Sequence, residues 1–220
     1  MSPDRSEPDL TFVELIHQAL RADADRLVDA ATTLEPDVRD TRVVAVREYY
    51  DRYREQLVTH HTHEDKLFFP ALEARVEHGT AHLDELVSQH HELDGVLEEV
   101  RAGLAALSQP ERDFAADRAA VVSAMSTMAE HLNTHLDLEE KTALPLMRSN
   151  VSAAEYKELE AKVRKATPRA QSGFMVPWMA ENASPEQRKA WFRSVPPLRI
   201  VYLLNRGRYR KLAAALVPAT

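Results

Sequence analysis

The 220-residue chain is 44% apolar, enough for a large buried core, which excludes a mostly disordered polypeptide. It has no cysteine, so disulfides, thiolate metal sites and cysteine nucleophiles are excluded and any metal must be held by N and O donors. The net charge of −7 hides an asymmetry: residues 1–149 hold 15 Lys/Arg against 30 Asp/Glu, residues 150–220 hold 13 against 5, and all ten histidines fall at or before His135.

Met1 to Asp9 reads as an acidic, Pro-containing tail without the basic and apolar pattern of a leader. No window approaches about 18 uninterrupted apolar residues, so the expectation is a cytoplasmic protein with no membrane partner. From residue 10, four segments carry apolar residues at helical spacing. The first opens with Thr11-x-x-Glu14, read as a capping box, and runs through Val13, Ile16, His17, Leu20, Ala24, Leu27 and Ala31 to near Leu34, ahead of Pro36. The second starts near Asp40 or Thr41 and runs Val46, Tyr49, Tyr53, Leu57, His60, Glu64, Leu67 and Ala71, ending by Gly79, with Pro70 expected to kink or break it. The third runs from a Thr80 cap through Leu83, Leu86, Val87, His90, Leu93, Leu97, Val100 and Leu104 to Ser108-Gln109-Pro110. The fourth runs Phe114, Val121, Met125, Met128, Leu132, His135, Glu139, Thr142 and Leu146.

With no strand-like alternation, this pattern predicts an all-α fold: an antiparallel up-down-up-down four-helix bundle over residues 10–149. Residues 150–220 predict an additional C-terminal helical extension. Ser152-x-x-Glu155 and Ser184-Pro185-Glu186-Gln187 are helix starts, and Pro168, Pro177, Pro196, Pro197 and Gly207 read as breaks. Phe174, Trp178, Trp191, Tyr202 and Leu203 give this basic extension an apolar side, so it is expected to pack on the acidic bundle, aided by complementary charge. The Arg206-x-Arg208-x-Arg210-Lys211 run is too short, beside so acidic a body, to favour nucleic acid. A cap over the open end of the bundle fits better.

The body repeats itself. His60-x-x-x-Glu64-Asp65-Lys66-x-x-x-Pro70 returns 75 residues later as His135-x-x-x-Glu139-Glu140-Lys141-x-x-x-Pro145, and His17 aligns with His90, 73 residues on. At i, i+4 an imidazole and a carboxylate share one helix face. With about 100° per residue, His60 and Glu64 cluster with Val46, Tyr53 and Leu57, and His135 and Glu139 with Val121, Met128 and Leu132, while His61 and His63 fall roughly 70–90° from the centre of their stripe. Buried carboxylates are normally paired or bound to a metal, so His17, His60, Glu64, His90, His135 and Glu139 form a candidate metal site. His131 and His91 lie at the edges of their stripes and are candidates for an additional ligand or for a group that holds one, as is Tyr53, two turns before His60. His78 and His82 flank a turn and are expected to be solvated. Four imidazoles and two carboxylates suit Fe or Mn, and Zn less well; with both glutamates and one solvent-derived group bridging two ions, about five ligands per ion leave open positions for O2, NO or peroxide.

These residues, with the flanking Phe69-Pro70 and Leu144-Pro145, resemble the hemerythrin-like, or His-His-Glu cation-binding, proteins over roughly residues 10–148. The resemblance implies a four-helix bundle holding two Fe ions as an oxo- or hydroxo-bridged di-iron centre, with Glu64 and Glu139 bridging and the four histidines terminal. One departure stands out. The O2 carriers of that family have a fifth histidine one turn before the third-helix histidine, where this chain has Leu86. The expected function is therefore binding of, or reaction with, O2, NO or peroxide in sensing, redox or detoxification. The alternatives are a di-iron enzyme, either catalase-like or an oxidase with a pocket under the C-terminal extension, and iron handling or storage.

Overall fold

The structure is a computed structural model and describes residues 6–76 and 81–217, among which every regular element is helical. The body is built on α1 (Thr11–Thr32), α2 (Val44–His63), the short α3 (Phe69–Glu73), α4 (Ala81–Leu107), α5 (Phe114–Lys141) and α6 (Ala143–Asn150). The extension adds α7 (Ala153–Ala166), α8 (Arg169–Asn182), α9 (Pro185–Ser194) and α10 (Pro196–Ala213). Among the long helices, α1 packs against α2 and α5, and α4 packs against the same two. Gly103 marks a close approach of α4 and α5: a Cβ there would meet the Val121 side chain at 2.7 Å.

One expectation about helix ends needs correction. The Thr11–Glu14 capping box does not form: the cap position is Leu10, and Asp9 Oδ1 accepts the Thr11 N–H at 3.0 Å. Leu10 is buried with Phe69 and Leu72, which sets the helix start one residue earlier, and Glu14 pairs with Arg148 instead. Pro70 disrupts the second helix, as its position leads one to expect. Its ring crowds the carbonyl of Lys66 and it offers no N–H to it, so the chain widens into a π turn over Glu64–Phe68 and continues as α3. Pro145 stands in the same relation to Lys141, and α5 ends there, at Thr142, before α6 resumes. Each disruption falls within three residues of the glutamate of a His-x-x-x-Glu motif. The expected Thr80 cap, Gly79 and His78 lie outside the described residues.

Two apolar clusters result. The larger runs through α1, α2, α4 and α5 and takes in Phe174, Trp178, Trp191, Tyr202 and Tyr209 of the extension. The smaller gathers Leu10, Phe69, Leu72, Leu83, Leu86, Ala143, Met147, Val151 and Tyr156. Both capping boxes expected in the extension are present, at Ser152 with Glu155 and at Ser184 with Gln187. Pro177 and Gly207 sit inside helices.

Hydrogen bonds and apolar contact seat the extension more than charge does. Trp178 Nε1 donates to Oδ2 of the fully buried Asp23 at 2.7 Å, the Tyr49 hydroxyl donates to the same oxygen, and Tyr209 and Tyr49 hydroxyls lie 3.2 Å apart. Gln171 donates to Thr59 Oγ1 at 3.0 Å and to Gln56 Oε1 at 3.3 Å on α2. Among the described residues the ion pair joining extension to body is Arg75–Glu155 at 2.8 Å, with the cation on the body. That polarity is the reverse of the complementary-charge docking expected from composition. No helix of the described residues is long and apolar enough to cross a membrane.

Trp178→Phe keeps the ring area but removes a donor from a buried carboxylate. A loss of about 1.5–3 kcal/mol is expected, the range for hydrogen bonds to charged groups, read by urea unfolding. Unchanged stability would show that Asp23 does not anchor α8.

Candidate metal centre

Four helices bring the repeated motifs to one level. His17 lies near the start of α1 and His90 in the first half of α4, while His60 and His135 lie near the ends of α2 and α5. His17, His60, Glu64, His90, His135 and Glu139 are all buried, between the two apolar clusters. Their donor atoms fall into two groups, each within 4.8 Å: His17, His60, Glu64 and Glu139, and His61, Glu64, His90 and His135. Glu64 is common to both.

The three outer candidates stand apart from these groups. His131 and His91 are exposed; His131 lines a surface pocket with Gln89, Glu92 and Thr134. Tyr53 is fully buried, but its hydroxyl donates to the Leu20 carbonyl at 3.2 Å, which commits it to holding α2 on α1. His82 is exposed, 3.8 Å from Glu85, and His63 is half-buried.

His61 is the residue that the helical wheel misplaced. Only 4% of it is exposed, and it stacks on His90 with ring centroids 3.9 Å apart and planes at 12°. A wheel with a single stripe excludes it, whereas α2 buries two. Tyr49 and Tyr53 reach Asp23 and Leu20 of α1, while Tyr50 donates to the Leu97 carbonyl of α4 at 2.7 Å. An interval of 11 residues is three turns, so the Tyr49-Tyr50 doublet foreshadows His60-His61, one member facing each neighbour.

The second acid of each motif braces the opposite half of the repeat. Glu140 Oε1 accepts from His17 Nδ1 at 3.0 Å, and Asp65 Oδ1 accepts from His90 Nδ1 at 2.8 Å. Gln89 Oε1 accepts from His135 Nδ1 at 3.1 Å. Fixing the proton on Nδ1 turns the Nε2 lone pair inward, the arrangement that partners of metal-bound histidines impose. Inside, Nε2 of His90 and His135 lie 3.2 Å apart, His17 Nε2 lies 3.1 Å from Glu139 Oε2, and His60 Nε2 lies 3.0 Å from Glu64 Oε1.

Apart from the His90–His135 pair, those atoms are poorly aligned with one another. His17 Nε2, His60 Nε2, both nitrogens of His61, both oxygens of Glu64 and Glu139 Oε2 have no hydrogen-bond partner. Buried polar atoms are ordinarily satisfied, and convergent, unpartnered N and O atoms are the donor set a cation would take.

Protonation follows the same geometry. Burial opposes a charge on the clustered imidazoles: it lowers His60 and His61 well below the usual histidine range, His90 to about 4 and His135 to about 3. His17 is the exception. Burial lowers it too, but the Glu139 and Glu140 carboxylates outweigh that and raise it to about 9. Burial, with the neighbouring Glu139 carboxylate, pushes Glu64 up, while Glu139 is held down against its own burial by the charge of His17. A cation in the cluster must displace the His17 proton and would replace its pairing with Glu139.

The family model described as the hemerythrin HHE cation binding domain matches residues 9–147. The chain belongs to this family. The match spans α1 to α6 up to Met147 and includes both His-x-x-x-Glu motifs, so this is a cation-binding HHE domain followed by a helical extension. Neither the curated proteins nor the solved structures compared with it provide a match.

If Glu140 and Asp65 orient their histidines for an ion, Glu140→Gln and Asp65→Asn should each weaken metal retention about 10- to 100-fold, as such partners do elsewhere. Competition against a chelator reads the change. Unaltered affinity in both variants would contradict the bracing role.

Proposed function

We propose that the HHE domain is an antiparallel up-down-up-down bundle holding two iron ions, with His17, His60, Glu64, His90, His135 and Glu139 among their ligands, and that it binds or reacts with O2, NO or peroxide. The bundle would comprise residues 10–149, with 150–220 as an extension packed on it. The observation that carries the reading is the set of buried imidazole and carboxylate atoms, most of them unpartnered, converging between four helices. Two groups sharing Glu64 favour a pair of ions with a common carboxylate, and a donor set of N and O atoms without sulfur suits iron.

When bound, such a pair supplies open coordination positions and electrons for a small ligand. The chain's own residues supply the rest. Asp65, Glu140 and Gln89 orient the imidazoles. Phe69, stacked 5.9 Å from His90, and the cluster around Leu86, Met147 and Tyr156 keep bulk water from that end. Within that cluster Tyr156 belongs to the extension, so α7 supplies part of the cover.

The oxidase alternative finds less support. The cleft beneath the extension is lined by Arg26, Asp29, Thr33, Glu181, Tyr209 and Arg210. Arg26 lies nine residues, about 13 Å of helix, beyond His17, with the buried Asp23, Tyr49 and Trp178 layer at Asp23 along the way. A substrate bound there would sit away from the ions.

The test is rapid mixing of the anaerobically reduced, iron-loaded protein with O2, NO and peroxide in turn. A new visible or near-ultraviolet band with at least one of them is expected. No spectral change with any of the three would sink the reading, and steady O2 evolution from peroxide would replace it with the catalase-like enzyme.

A further inference from the structure

We propose that His61 is a fifth imidazole ligand, so that the two ions are unlike: one held by three histidines, the other by two. This rests on the two-ion reading above and adds a residue that lies outside the repeated motif.

His61 is 96% buried by its 4% exposure, yet neither of its nitrogens has a partner. A histidine kept for structure alone would be expected to hydrogen-bond at least one ring nitrogen, because an unsatisfied buried polar group costs about 1–3 kcal/mol. Its donor atom lies within 4.8 Å of those of Glu64, His90 and His135, whereas His60, its neighbour in sequence, groups with His17, Glu64 and Glu139. Consecutive residues of one helix diverge by about 100°, so one α2 turn can serve both ions. The stack on His90 fixes the ring plane, and His90 is itself held by Asp65.

The partner helix explains why the ligand comes from α2. One turn before His90, α4 presents Leu86, fully buried against the smaller apolar cluster, and so offers no second imidazole there. His61 lies over the face of His90 from the other side of the interface. The two donor sets then differ in charge: three neutral imidazoles with one shared carboxylate, against two imidazoles with two carboxylates. Anionic oxygen donors favour the more highly charged ion, so the His17 and His60 side should hold the more oxidised iron when the two differ.

Iron-57 Mössbauer spectroscopy of the full chain, beside metal analysis, tests this. The native protein is expected to show two doublets of equal area with different splittings. His61→Ala should weaken one ion at least about tenfold, leaving one tightly held iron per chain with one doublet, at unchanged helix content. His63→Ala, a change at the half-buried neighbour outside both groups, should keep both ions. His61→Gln, which retains a polar side chain, repeats the test if the alanine variant fails to fold. Two ions of native affinity with an unaltered spectrum in the His61 variants would overturn the proposal. A native protein that binds no iron pair would overturn the two-ion reading itself, and the two failures are thereby told apart.

Discussion

The structure turns on a buried set of imidazole and carboxylate atoms that the protein does not satisfy from within. Each of the four long body helices commits core volume to it, and most of the atoms that converge there are left without hydrogen bonds. Such a cluster is unfavourable in an apolar interior unless a cation joins it. The same atoms have their outward nitrogens paired where a partner exists, through Glu140, Asp65 and Gln89. The bracing runs crosswise. The acid after the first motif holds the histidine of the second half, and the acid after the second motif holds that of the first, so neither half of the repeat is complete alone.

The backbone supports the same arrangement. The prolines that follow each motif disrupt the helix, as a π turn over Glu64–Phe68 in one case and a break at Thr142 in the other. Beyond these points the chain turns into α3 and α6, whose apolar residues close the end of the body together with Leu10 and Tyr156. On the other side of the ligand level, the larger cluster continues along the body to Asp23, where α8 and α10 are anchored by Trp178 and Tyr209. The polar level is thus held between two dry regions of unequal size.

Much of this could be read from the sequence, and the limits have physical reasons. The i, i+4 spacing of His and Glu is local information, so His60, Glu64, His135 and Glu139 share one core level as the motif implied, and the repeat located His17 and His90 beside them. His61 escaped because a single-stripe wheel treats α2 as having one buried face, whereas it packs on both α1 and α4. The Tyr49-Tyr50 doublet held the needed signal. The start of α1 was misread because Thr11-x-x-Glu14 satisfies a local rule, while burial of Leu10 decides the register from a distance. The polar contacts that seat the extension escaped for the same reason. Composition reports net charge, but the contacts that seat α8 depend on Asp23, Gln56 and Thr59, whose partners lie more than a hundred residues away.

The fifth buried histidine also changes what the missing α4 histidine means. Sequence alone made the site look symmetric, with four imidazoles divided equally between halves. In the fold, His61 joins His90 and His135, and the symmetry of the repeat is broken by a residue that the repeat does not contain. The most direct measurement of the whole account is metal content with an absorption spectrum of the purified full-length protein. The account expects two irons per chain, with near-ultraviolet bands of a bridged iron pair. A single zinc, or a chain that folds fully without taking up iron, would contradict it.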